Sequence, residues 1–148
     1  MSDVTALQGS QSETTIAIDP SDSSRVFAAS NDNSGRNRNG MTVSRSSDGG
    51  VTWTAAFLGD GSDAVPVSRG DPKAAYDVFG NLFLTYLTNE EPLSVVVLLS
   101  VDGGQNFKLL TKFTDLQDAD QPSIAVGPGR DGEAGSVWLT WEVGEAPF

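Results

Sequence analysis

Residues Ser46–Trp53 read SSDGGVTW, and Ser100–Phe107 read SVDGGQNF, the same Ser-x-Asp-Gly-Gly pattern closed by an aromatic ring 54 positions later. Each residue type suits a tight corner between two antiparallel strands. An Asp side chain accepts hydrogen bonds from backbone N–H groups just downstream, and glycine takes positive φ at little cost. A Ser hydroxyl at the start of the corner ties its two arms together. The closing Trp or Phe is expected to bury its ring against the sheet. Such a local role for Asp48 and Asp102 makes them turn formers and not a hydrolytic carboxylate pair.

Working outward from the corners, a second pattern recurs three times. ETTIAID (13–19), DPKAAYD (71–77) and QPSIAVG (121–127) align on Ala17, Ala75 and Ala125. Each contains an apolar run short enough to be a buried strand. A turn follows each, and then RVFAAS, NLFLTY or SVWLTW, with Phe27, Phe83 and Trp138 in equivalent places. MTVSRS and VVVLLS precede the two Asp-Gly-Gly corners; TWTAAFL and NFKLLTKF follow them. The unit is therefore four short antiparallel strands, repeated at about 50–58 residues, which predicts propeller blades. A β-sandwich of about ten strands would use the same turn signals, but it has no reason for self-similarity at this period. The expected layout is one partial propeller domain over residues 1–148, with blade one at about 13–60, blade two at about 70–114 and a half blade at about 120–143.

The corner resembles the Asp-box of the sialidase-type (BNR) β-propeller superfamily. SSDGGVTW matches it at Ser46, Asp48, Gly50, Thr52 and Trp53. SVDGGQNF matches at Ser100, Asp102 and Gly104, keeps an aromatic as Phe107 and has Asn106 in place of Thr. The resemblance implies an all-β fold of four-stranded antiparallel blades, with these corners on the perimeter away from the catalytic face. It does not extend to the family's active site, which holds an acidic sugar with three arginines, the first in an Arg-Ile-Pro motif, and uses a Tyr activated by a Glu. No Arg-Ile-Pro occurs here, and Tyr76 and Tyr86 fall inside repeat strands.

Composition narrows the chemistry. The chain has no Cys and no His, which removes thiol nucleophiles, Ser-His-Asp triads and zinc sites of the usual kind. Nine Lys and Arg against 20 Asp and Glu give a net charge of −11, which repels nucleic acid and anionic membranes. No apolar run approaches the ~18 residues of a membrane span. The beginning, MSDVTALQGSQSETT, has neither the basic start nor the apolar stretch of a signal peptide. The chain is therefore expected either to be cytosolic or to begin after a removed leader, and the resemblance points to the second, a secreted, extracellular or periplasmic setting.

In a propeller, ligands meet the loops near the start of the innermost strands. Glu13, Asp71 and Gln121 occupy that place, with Asp120 beside the last. The stretches SRGDP (68–72) and DLQDADQP (115–122) are expected as loops leading into the second and third units. These carboxylates and amides suit sugar hydroxyls or a hard cation such as Ca²⁺, for which Asp71 and Asp120 are the candidate ligands. They also suit strand ends that simply face water. Asp71 as general acid and Arg69 as anion clamp are the candidate catalytic pair. NDNSGRNRNGM (31–41) is expected as a long polar loop.

Two functions follow as expectations. One is a non-catalytic sialidase-like module that binds a glycan or protein, as part of a larger propeller or assembling into one through open blade edges. The other is part of an exo-acting glycoside hydrolase of sialidase type whose other catalytic residues lie outside this chain.

Overall fold

The computed structural model describes residues 4, 9–33, 40–114, 119–129 and 135–144 of the 148. These residues hold ten β-strands and no helix: β1 (Gln11–Ile18), β2 (Val26–Asp32), β3 (Met41–Ser46), β4 (Thr54–Leu58), β5 (Ser68–Tyr76), β6 (Leu82–Thr88), β7 (Val95–Ser100), β8 (Lys108–Phe113), β9 (Ala119–Pro128) and β10 (Gly135–Val143). They form a four-stranded sheet in the order β1-β2-β3-β4, a second in the order β5-β6-β7-β8, and a two-stranded sheet of β9 and β10, all antiparallel. The all-β class and the four-strand repeat expected from the sequence are therefore present. Among the described residues no helix is long and apolar enough to cross a membrane.

Strand alternation decides which side chains meet between sheets. On sheet one, Ala17, Phe27, Ala29, Met41 and Val43 share a face and pack against Tyr76, Leu82, Leu84, Tyr86, Val96 and Leu98 of sheet two. The other face of sheet two carries Leu87 and Val95, which pack with Ala119, Leu139 and Trp141 of the two-stranded sheet. Sheet two is covered on both faces, so all seven residues of β6 are buried, including the two threonines Thr85 and Thr88. The strands β4 and β8, farthest from the β1–β5–β9 contacts, are largely exposed.

The corners form as their residues dictate, with one difference in reach. Asp48 accepts the Thr52 N–H at 2.8 Å, four residues on, and Ser46 Oγ accepts the Gly50 N–H at 2.8 Å while donating to Asp48 Oδ1 at 2.7 Å. Asp102, Asn106, Ser100 and Gly104 repeat these bonds at 2.9, 2.8 and 2.8 Å. The aromatic rings precede β4 and β8, and Phe107 packs, partly buried, against the core that sheets one and two share. Phe107 meets Phe27 of sheet one edge-on, centroids 5.7 Å apart, whereas the Trp53 indole donates to Gly50 O of its own corner at 3.0 Å.

Three expected loops also need correction. Ser68–Pro72 lies within β5, Ala119–Pro122 within β9, and Asn31 and Asp32 within β2. Of the third stretch, Asn33 and Gly40 lie in no strand and Met41 opens β3; residues 34–39, and 115–118 of the second stretch, fall outside the described residues. The first strands begin two or three residues early because each continues through a bulge, a feature that alternation of apolar and polar residues does not reveal.

Candidate functional site

Each first strand is interrupted in the same way. Between the pairs Ser12↔Asn31 and Thr15↔Ala29, residues Glu13 and Thr14 oppose Ser30 alone. Between Gly70↔Leu87 and Lys73↔Thr85, Asp71 and Pro72 oppose Tyr86. Between Asp120↔Glu142 and Ser123↔Thr140, Gln121 and Pro122 oppose Trp141. The first bulge residue is left-handed every time: φ is 53° at Glu13, 60° at Asp71 and 45° at Gln121, and among the described residues these are the only non-glycines with positive φ. Proline fits the second place, where the ladder asks for no N–H. Glycine would fit the first place without strain. Polar side chains stand there instead.

Because β1 lies against β5 and β5 against β9, the three bulges come together. Glu13, Asp71, Asp120 and Gln121 line one polar hollow of about 430 Å³ with Arg69 and Asn31. All five binding or catalytic candidates named from the sequence are thus neighbours. The Gln121 N–H is shared between Asp120 Oδ1 at 3.0 Å and Asp71 Oδ2 at 3.3 Å. Burial holds the Asp71 carboxyl above its ordinary value, and its hydrogen bond with Glu13 acts in the same direction; the Asp120 and Gln121 contacts pull the other way. Glu13 is lowered, chiefly by that same bond with Asp71. The opposite shifts belong to one interacting carboxyl pair, of which Asp71 is the more easily protonated member.

Asn31 is the residue that sequence reading missed. Its carboxamide donates to Glu13 Oε2 and accepts the Asp71 N–H at 3.0 Å, joining β1 to β5 through the end of β2. Gly70 makes room for it: a Cβ there would come within 3.0 Å of Asn31 Nδ2. The available signal was the dipeptide Asn31-Asp32 continuing the β2 strand, which an Asn-rich stretch disguises as loop.

Other candidates lie elsewhere. Asp48 and Asp102 sit in their corners, each lowered to about 2. For Asp48 the largest cause is the Thr52 hydroxyl; for Asp102 partial burial works upward but yields to bonds from Asn106, Ser100 and Gln105. Tyr76 and Tyr86 are core residues; burial raises Tyr76 to about 12 and Tyr86 higher still, and the Tyr86 hydroxyl donates to Pro66 O at 2.6 Å. Among the described residues no group of three or more His, Cys, Asp or Glu side chains is arranged to hold a metal ion. No protein-family model matches the chain, and no curated protein matches it.

Proposed function

We propose that this chain is a sialidase-like β-propeller module that binds a glycan at the hollow around Asp71 and does not hydrolyse it. The observation that carries the reading is the threefold left-handed bulge. A strained conformation kept at three equivalent places by polar residues, where glycine would relax it, marks a position under functional demand. The groups around the hollow match sugar hydroxyls, which both donate and accept. Glu13, Asp71 and Asp120 supply acceptors, and Asn31, Arg69 and Gln121 supply donors. A secreted or periplasmic location, where glycans are displayed, belongs to the same proposal.

The upward shift of the Asp71 carboxyl favours one second reading, a general acid in an exo-acting sialidase-type hydrolase completed by residues beyond this chain. Glycan-array binding and a fluorogenic sialoside assay separate the two. The binding module predicts retained glycan signal without turnover, lost in Asn31→Ala and Asp71→Ala. Turnover abolished by Asp71→Ala would establish the hydrolase, and neither binding nor turnover would defeat both.

A further inference from the structure

We propose that the cleft between β3 and the second corner holds a tetrahedral oxoanion, a phosphate or sulfate group free or as a monoester, on Arg45 with Arg25 beside it. Arg25, Arg45, Ser47, Thr54 and Gln105 line a hollow of about 310 Å³ there. It lies at the far end of sheet one from Glu13 and Asn31, since β2 runs from Val26, next to Arg25, to Asp32. Arg45 is half-buried, and among the described residues its guanidinium meets no carboxylate and makes no hydrogen bond. The Ser47 and Thr54 hydroxyls are equally unengaged among those residues. Arg25 is partly occupied: Nη2 meets Asp19 Oδ2 at 2.8 Å and Nε lies 3.4 Å from Asp22 Oδ2, while Nη1 makes no hydrogen bond among the described residues. The Tyr76 hydroxyl, within electrostatic reach of both arginines, is buried without a partner as well.

A guanidinium drawn partly out of water without a counter-charge costs stability. The repeat shows that the fold does not require this one. Register places Leu99 in sheet two where Arg45 stands in sheet one, through the pairs Phe83↔Leu99 and Phe27↔Arg45. Asn81 likewise holds the place of Arg25, and it serves Asp77 as Arg25 serves Asp19, with Nδ2 donating to Asp77 Oδ2 at 2.7 Å. The corner after Leu99 closes with the same Ser-to-Gly bond as the corner after Arg45, at 2.8 Å in both. Two arginines therefore converge in one unit at places the other fills with Leu and Asn. Asp102 also lines the hollow, but four donors occupy its oxygens: Ser100 Oγ at 2.8 Å, the Gln105 and Asn106 N–H groups at 3.0 and 2.9 Å, and Asn106 Nδ2 at 2.8 Å. Asp19 and Asp22 offset the charge of Arg25, which leaves Arg45 as the principal attraction. Its planar fork matches two oxygens of an oxoanion, and hydroxyls such as those of Ser47 and Thr54 donate to the others.

NMR of the arginine Nε–H groups and the Gln105 side-chain amide, in the full chain titrated with sodium phosphate or sodium sulfate against sodium chloride at equal ionic strength, tests this. The expected result is a saturable shift at Arg45 and Gln105 that chloride does not reproduce. Arg45→Leu, which installs the residue sheet two carries, should keep the melting temperature and bind about tenfold more weakly at Gln105. Arg45→Lys keeps the charge without the fork and should fall between the two. Shifts that never saturate or that chloride matches would overturn the proposal, as would unchanged affinity in Arg45→Leu. A sulfated disaccharide that binds more tightly than inorganic sulfate would assign the anion to a glycan, and equal affinities would assign it to the free ion. An unsulfated disaccharide that shifts the same signals equally would overturn the anion site. None of these reporters lies at the hollow around Asp71, so the outcome is independent of glycan capture there.

Discussion

Glu13, Asp71 and Gln121 hold a backbone conformation that costs an L residue roughly 1–2 kcal/mol. Gln121 is the clearest place to measure that cost, since its side chain is exposed and glycine removes the Cβ conflict. Glycine also loses more chain entropy on folding, roughly 0.5–1 kcal/mol. Gln121→Gly is therefore expected to raise the unfolding free energy by about 0.5 kcal/mol while weakening glycan capture, in urea titrations run beside the array. An unchanged or lower stability would remove the strain argument. The corner aspartates give a second test at this scale. Asp48 and Asp102 are depressed from 3.8 to about 2, so the stability they add is present above the unfolded value and disappears as pH falls toward 2. The wild type should melt above an Asp48→Asn/Asp102→Asn double variant at pH 5, and the two melting curves should converge near pH 2. A gap that persists at pH 2 would show that the bonds matter and the charges do not.

At the scale of elements, the two corners differ in what surrounds them although their sequences nearly agree. Gly50 and Gly104 have φ of 88° and 85°. Alanine at either meets the same backbone penalty, but only at Gly104 would the new methyl strike Phe27, at 2.7 Å, and Leu82, at 3.2 Å. Gly104→Ala is expected to cost about 2–4 kcal/mol, the left-handed penalty plus overpacking, and Gly50→Ala about 1–2 kcal/mol. Equal losses in thermal or denaturant unfolding would mean that the corner does not wedge between sheets. This contrast also marks how far sequence reaches. The corners, the strands MTVSRS and VVVLLS and the four-strand order are local consequences of residue type and alternation, and they were legible. The bulges were not, because nothing in Glu13 or Gln121 announces positive φ. Nor was Asn31, whose partners Glu13 and Asp71 lie 18 and 40 residues away. The destination of the Phe107 ring on a neighbouring sheet is likewise a tertiary fact that a repeat unit read alone does not contain.

Across the whole molecule, the hollow joins all three sheets, since Glu13 belongs to β1, Asp71 to β5 and Gln121 to β9. Titration of the Asp71 and Glu13 carboxyls thus couples their packing to pH. Asp71 has its folded value raised, so its stabilising contribution is complete below the unfolded value of about 3.9 and is lost as pH rises through the folded value. Glu13 is lowered by the same bond, so the pair tolerates one charge readily and the second poorly. Asp71→Asn puts a permanent donor beside Glu13 whatever the pH, and Asn also accepts left-handed φ more easily than most residues. The backbone benefit is the same at every pH; the electrostatic one is not. The difference in melting temperature between Asp71→Asn and wild type should therefore be smallest near pH 3 and grow toward pH 8. Comparing the two proteins cancels the general repulsion that a charge of −11 imposes on both. A difference that stays flat with pH would assign the gain to the backbone alone and leave the three sheets without a protonic link.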